Sequence, residues 1–247
     1  MATKTSGFGY FLQGLSLISK PGVKRYVVIP LLINTIIFTV LIILLSGYVD
    51  ELIKEYIPNS LPNWLAWVAV VLKIMYYLLA LLVMFYTFSF VANVVGAPFN
   101  GYLAAKVEQH LTGKAPPGSD RNIMAEFTAI MLSEVKKWLY YFMIAIPLMI
   151  LSLILLFIFP PLIAVIWFIF GSWMFSIEYS DYPMGNYGLT FSEIRKEISK
   201  KRMMSMGFGS AVTLGTMLPI FNFIVMPVAV AGATAMRVEQ FPISVKE

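Results

Sequence analysis

"WLYYFMIAIPLMILSLILLFIFPPLIAVIWFIFGSWMFSI" runs from Trp138 to Ile177 without a charged residue. A bilayer-spanning helix needs about 20 mainly apolar residues, so the stretch is too long for one crossing. Pro160-Pro161 divides it. Proline removes a helical donor and clashes with the preceding turn, so the chain is expected to break there. The result is a helical hairpin with an uncharged tip. Its second arm, from Leu162 to Ile177, reads as short for a crossing, because "EYSDYPMGN" at Glu178–Asn186 carries a turn signal.

Three more apolar blocks surround it. Met203–Met236 is also uncharged, is punctuated by Gly207, Gly209, Gly215, Pro219 and Pro227, and reads as a second hairpin with shorter arms. Tyr26–Val49 meets the spanning length once, and Trp64–Pro98 is a long run with one charge, Lys73. Trp64, Trp67, Tyr76 and Tyr77 suit an aromatic belt. The expected fold is therefore an all-α integral membrane protein. Two long transmembrane helices (about 26–49 and 74–98) accompany two Pro/Gly-broken hairpins (about 138–177 and 203–236), all in one membrane-embedded domain, 1–247. The hairpins either enter the membrane partway, with their broken backbone covered by protein or a polar cavity, or form pairs of short full spans.

Composition agrees. Hydrophobic residues make up 59% of the 247, charged residues 13%, and the mean hydropathy is +0.80. A soluble domain carries about 25% charged residues. There is no cysteine and one histidine, His110, which removes disulfides, thiolate chemistry and multi-histidine metal sites. No cofactor or metal is expected. The net charge of +5 is spread as a topology signal, not as a nucleic-acid footprint. Lys4, Lys20, Lys24 and Arg25 precede the first block, and the loop after it, "DELIKEYIPNSLPN", has Lys54 as its only cation. Lys106, Lys114, Arg121, Lys136 and Lys137 follow the second block, and Arg195, Lys196, Lys200, Lys201 and Arg202 follow the third. Arg237 and Lys246 come last. If each hairpin returns to the side it left, nearly every cation and both termini face the cytoplasm.

The connecting segments read as amphipathic helices. Residues 5–19, with Phe8, Phe11, Leu12, Leu15 and Ile18 near helical spacing, are expected to lie at the interface and not to be a cleaved signal. "NGYLAAKVEQHLTG" has Asn100 as N-cap and Gly113 as stop, with Leu103, Val107 and Leu111 on one face. "SDRNIMAEFTAIMLSEVKKW" places Ile123, Phe127, Ile130, Met131 and Val135 on another. "TFSEIRKEISKKR" opens with a Thr190…Glu193 capping box and aligns Phe191, Ile194 and Ile198.

Enzyme motifs are missing. "GKA" at Gly113–Ala115 lacks the remaining parts of a P-loop. Glu178 and Asp181 read either as an acid–base pair or, more plainly, as carboxylates solvated at the interface. His110 reads as an exposed loop histidine. The informative segment is "GLSLISKPGVKR", Gly14–Arg25. With Pro21 at N1, a free helix N-terminus offers unpaired N–H donors and partial positive charge to an oxyanion. Gly22 permits close backbone approach, and Lys24 and Arg25 supply charge. The candidate anion ligands are Ser19, Lys20, Gly22, Val23, Lys24 and Arg25. The same cations would equally serve as lipid anchors that fix topology. Asn34, Asn93, Asn100 and Asn222 are candidate pore-lining residues, or helix–helix hydrogen-bonding ones.

These residues resemble the CysZ family of bacterial inner-membrane sulfate permeases along nearly the whole chain. The family's opening signature is matched by Gly14, Leu15, Leu17, Pro21, Gly22, Lys24, Arg25 and "PLLIN" at Pro30–Asn34. "GAPFNG" at Gly96–Gly101, "LTG" with "PP" at Leu111–Pro117, "DYP" at Asp181–Pro183 and "MPVAVAGATAM" at Met226–Met236 follow in order. The resemblance implies sulfate transport feeding cysteine synthesis, in a homo-oligomer with membrane lipids as its other partners and no nucleic acid. It also implies that the hairpins penetrate partway. It places the anion site at Pro21–Arg25. Lys24 departs from the family's usual arginine and loses its planar fork, so Arg25 carries more weight as a ligand. The alternative is a membrane-assembly or anionic-lipid-binding protein without transport.

Overall fold

The computed structural model describes residues 5–56, 66–117 and 123–243. Lys4, Trp64, Arg121 and Lys246 lie outside these residues. The described residues form helices α1 (Gly7–Leu17), α2 (Arg25–Tyr56), α3 (Ala66–Thr112), α4 (Ile123–Ile158), α5 (Pro161–Gly185), α6 (Phe191–Ser199), α7 (Arg202–Thr216) and α8 (Pro219–Gln240). They belong to two compact units: residues 1–27 with 100–247, and residues 28–99.

In the first unit the breaks fall at the expected prolines. Pro160 and Pro161 separate α4 from α5. Leu218 is extended (φ −92°, ψ 108°) because Pro219 follows it, and it separates α7 from α8. Two expectations are corrected. α5 does not stop at Ile177. It continues through Glu178–Gly185 with Pro183 inside it, and so reaches 25 residues. That is long enough to cross, as is the apolar part of α4, Leu132–Ile158. α7, at 15 residues, is about 22 Å long and falls short of a core about 30 Å thick. The segment from Ile123 is also not a separate helix but the start of α4.

Glycines set the packing of this unit. α1 crosses α8 so closely that a Cβ on Gly14 would lie 2.1 Å from the Val228 carbonyl oxygen. A Cβ on Gly209 would lie 1.7 Å from the Ser172 carbonyl oxygen, so α7 and α5 also meet backbone to backbone. Small residues at helix crossings permit such approach. α1 packs on this unit by the face that carries its small residues Gly7 and Gly14. Its buried face is Gly7, Tyr10, Phe11, Gly14 and Leu17, while Phe8 and Leu12 are exposed. Phe11 thus joins the glycines on the packed side, while Phe8 and Leu12 are left open. α6 matches expectation. The Thr190 N–H donates to Glu193 (2.9 Å), and Phe191, Ile194 and Ile198 are buried.

The second unit comprises α2 beyond Val27 and α3 up to Phe99. Leu32, Ile36, Ile43, Val70, Ile74 and Leu78 are exposed. Thr35 and Thr39 turn their hydroxyls onto the carbonyls of Leu31 and Thr35, each at 2.8 Å, which satisfies them within the apolar helix. The separate helix starting at an Asn100 N-cap does not exist, because α3 runs unbroken through that residue. Its end is as read: Gly113 has φ +76°, and its N–H donates to the Gln109 carbonyl (2.9 Å).

Candidate anion-binding site

The loop from Ile18 to Lys24 is a series of overlapping turns. The Lys20 carbonyl accepts from the N–H groups of both Val23 and Lys24, each at 3.1 Å. Gly22 takes φ +84°, which an L side chain resists; the space around it is open, so the constraint is the backbone itself. Val23 is 1% exposed and Val27 8%, so the loop is anchored from below by these two apolar side chains. α2 begins at Arg25, which corrects the placement of Pro21 as its first residue. It also changes the donor set. The Val23 and Lys24 N–H groups are used inside the loop. Among the described residues, no acceptor takes the N–H of Gly22 or Arg25.

A cavity of about 220 Å³ opens beside this loop. Pro21, Gly22, Val23 and Arg25 form one wall, and Lys106, Gln109 and His110 of α3 form the other. The Arg25 guanidinium lies 5.0 Å from the Tyr26 ring centroid and 3.3 Å from its hydroxyl oxygen. Lys106 Nζ donates to Gln109 Oε1 at 2.9 Å. Among the described residues, neither Arg25 nor Lys106 has a carboxylate within ion-pairing distance, and no carboxylate lines the cavity. Positive charge is therefore left uncompensated at the mouth of α2.

Of the sequence-predicted ligands, Gly22, Val23 and Arg25 line this cavity, whereas Ser19, Lys20 and Lys24 are exposed in the same loop and do not. The asparagines are not brought together. Asn100 is buried, and its Nδ2 donates to Met226 Sδ at 3.2 Å. Asn222 is exposed in the first turn of α8. The side chains of Asn34 and Asn93 lie outside the described residues. Sequence reading missed Lys106, Gln109 and His110 as site residues. Their signal is present, since positions i, i+3 and i+4 share one helix face, adjacent to the apolar face of Leu103, Val107 and Leu111.

Two buried charge groups hold the surroundings. Beside the cavity-lining residues of α3, Glu108 turns inward and pairs with Arg237 of α8; both are under 5% exposed. The Tyr187 hydroxyl donates to the same carboxylate, and the Arg237 guanidinium lies 4.6 Å from the Tyr187 ring centroid. Burial, then the bond to Glu108, pushes the Tyr187 phenol above its usual range. The end of α3 is thereby tied to α8 and to the turn after α5. The second group is Lys137, which contacts Glu134 (2.9 Å), Glu178 (3.1 Å) and Asp181 (2.7 Å). The buried Lys137 ammonium thus bridges Glu178 and Asp181, whose side chains remain 41% and 24% exposed.

Among the described residues, three helices are long and apolar enough to cross a membrane: Arg25–Leu44, Leu132–Ile158 and Pro161–Gly185. With the helices described above, they make this an all-helical chain of the membrane-protein class. A family model described as "Sulfate transporter CysZ/Etoposide-induced protein 2.4" matches residues 10–227, and the chain belongs to that family.

Proposed function

We propose that the protein passes sulfate across a bacterial inner membrane for cysteine synthesis, with both termini cytoplasmic. Sulfate binds in the recess between Gly22–Arg25 and Lys106. Homo-oligomerisation and contact with membrane lipids belong to the same reading. One observation carries it: a cavity of about 220 Å³ is lined by two cations that have no carboxylate partner among the described residues, and by no carboxylate. That volume is below the roughly 300–1,000 Å³ of pockets for organic ligands, and it suits a small tetrahedral anion. Sulfate near neutral pH has no proton to donate. A wall of donors therefore favours it over phosphate, which needs an acceptor for its proton. The family description, which names a sulfate transporter, points the same way.

Arg25 supplies the planar fork, and the N–H groups of Gly22 and Arg25, which no acceptor takes among the described residues, add two donors. Arg25→Ala is expected to weaken sulfate binding by about 10–100-fold, the range for a lost hydrogen bond to a charged group, while the protein still folds and inserts. Unchanged affinity in that variant would remove the site assignment. Labelled-sulfate flux into liposomes, with and without a proton gradient, tests transport itself. Flux no greater than in empty vesicles would favour the lipid-binding alternative.

A further inference from the structure

A second basic recess, of about 640 Å³, lies where α6 gives way to α7. Ser6 and Gly7, at the start of α1, form one side, and Lys200, Lys201, Arg202 and Met203 form the other. Two of its three cations are held by neutral groups. Lys201 Nζ donates to Gln240 Oε1 at 2.8 Å and lies 5.8 Å from the Phe241 ring centroid. The Arg202 guanidinium lies 5.3 Å from the ring of Trp173, a buried side chain. Lys200 alone of the three has a carboxylate partner, Glu197, among the described residues. Lys201 and Arg202 are therefore fixed in position with their charge uncompensated.

The chain changes character at this point. Five cations fall within the eight residues Arg195–Arg202, and then no charged residue occurs until Arg237. Met203, the first residue of the apolar run, is 86% exposed beside the recess. Clustered Lys and Arg at the foot of an apolar helical segment is the pattern that binds anionic lipid surfaces. Size separates this recess from the Arg25 cavity. It is about three times larger, and Met203 gives it an apolar neighbour that a free anion does not need.

We propose that Lys201 and Arg202, with Met203 beside them, bind the phosphodiester headgroup of an anionic phospholipid. Arg202 supplies the two-pronged donor and Lys201 a point charge. The acyl chains then lie over Met203. A zwitterionic lipid offers the same phosphate, but its own ammonium opposes the two cations, so the recess selects for net negative charge.

The test uses the full chain, purified in non-ionic detergent. It is titrated with dioctanoyl phosphatidylglycerol, dioctanoyl phosphatidylcholine and sodium sulfate, with bound lipid read by native mass spectrometry. Phosphatidylglycerol is expected to bind in preference to phosphatidylcholine. The double substitution Lys201→Gln with Arg202→Gln should weaken it about 30-fold, on the scale of two lost surface cations, and leave sulfate affinity unchanged. If the double variant does not fold, Arg202→Gln alone is measured, with about a fivefold loss expected. Equal binding of the two lipids, or equal phosphatidylglycerol binding by variant and parent, would overturn the proposal. So would displacement of the lipid by sulfate at the concentrations that fill the Arg25 cavity, since the recess would then belong to small anions. Loss of sulfate binding in Arg25→Ala does not bear on these outcomes, so the two sites stand or fall separately.

Discussion

The hairpins α4–α5 and α7–α8 are both uncharged through their apolar arms, and both break at a proline, yet they occupy different environments. α4 leaves its large side chains open: Leu153 is 65% exposed and Phe157 88%. α8 buries every residue from Val228 to Met236. The difference lies in side-chain volume rather than hydropathy. The buried run is "VAVAGATAM", whose small residues let α1 approach to backbone contact at Gly14 and Gly232. The exposed run, "LMILSLILLFI", is bulky and packs no neighbour that closely. Lipid tails are as apolar as leucine, so bulk gains little from leaving them; small residues gain by bringing backbones together. In this unit the Ala/Gly-rich α8 is core and the Leu/Ile-rich arm of α4 is periphery, with α5 packed between them on its Ser172 side.

This contrast predicts a ranking of mutational effects, measurable as unfolding free energy in mixed detergent micelles. The largest should come from Arg237→Ala, at the foot of the buried hairpin. It leaves Glu108 buried without its ionic partner, with only the Tyr187 hydroxyl donating to it, and should cost about 3–5 kcal/mol. A loss below 1 kcal/mol would mean that water reaches the pair, and would weaken the reading of α8 as core. Gly209→Val comes next, at about 1–3 kcal/mol or more, because its Cβ would overlap the Ser172 carbonyl and must drive α7 from α5. Tolerance of valine there would show that the two helices are not in backbone contact. The smallest should be Leu153→Ala in α4, within about 0.5 kcal/mol, since its side chain meets no protein neighbour that burial would reward. A loss of 2 kcal/mol or more would instead mean that a second copy of the chain covers this face.

Much of the architecture was legible because prolines and charges are local signals. The breaks at Pro160-Pro161 and Pro219, the Thr190–Glu193 cap and the Gly113 stop each depend on a few adjacent residues. The site was legible in part. Gly22 and Arg25 stand out by their residue types, but no residue type tells that the Val23 N–H, offered as a ligand, closes a turn on Lys20. Lys106, Gln109 and His110 were passed over because nothing in their local pattern tells which loop, about 80 positions earlier in the chain, will face them.

What the sequence determined by itself was solvent and punctuation: a charge-poor helical chain, broken where proline removes a donor, with its cations gathered at the ends of apolar blocks. Tertiary structure alone decided which apolar face meets protein and which is left open, since hydropathy scores a buried alanine and an exposed leucine alike. It also decided that Arg25 and Lys106 share one recess while Glu178 and Asp181 share Lys137. Pairings between distant residues are fixed by how helices cross, and those crossings depend on side-chain volume at a few glycines, read only once both partners are in place.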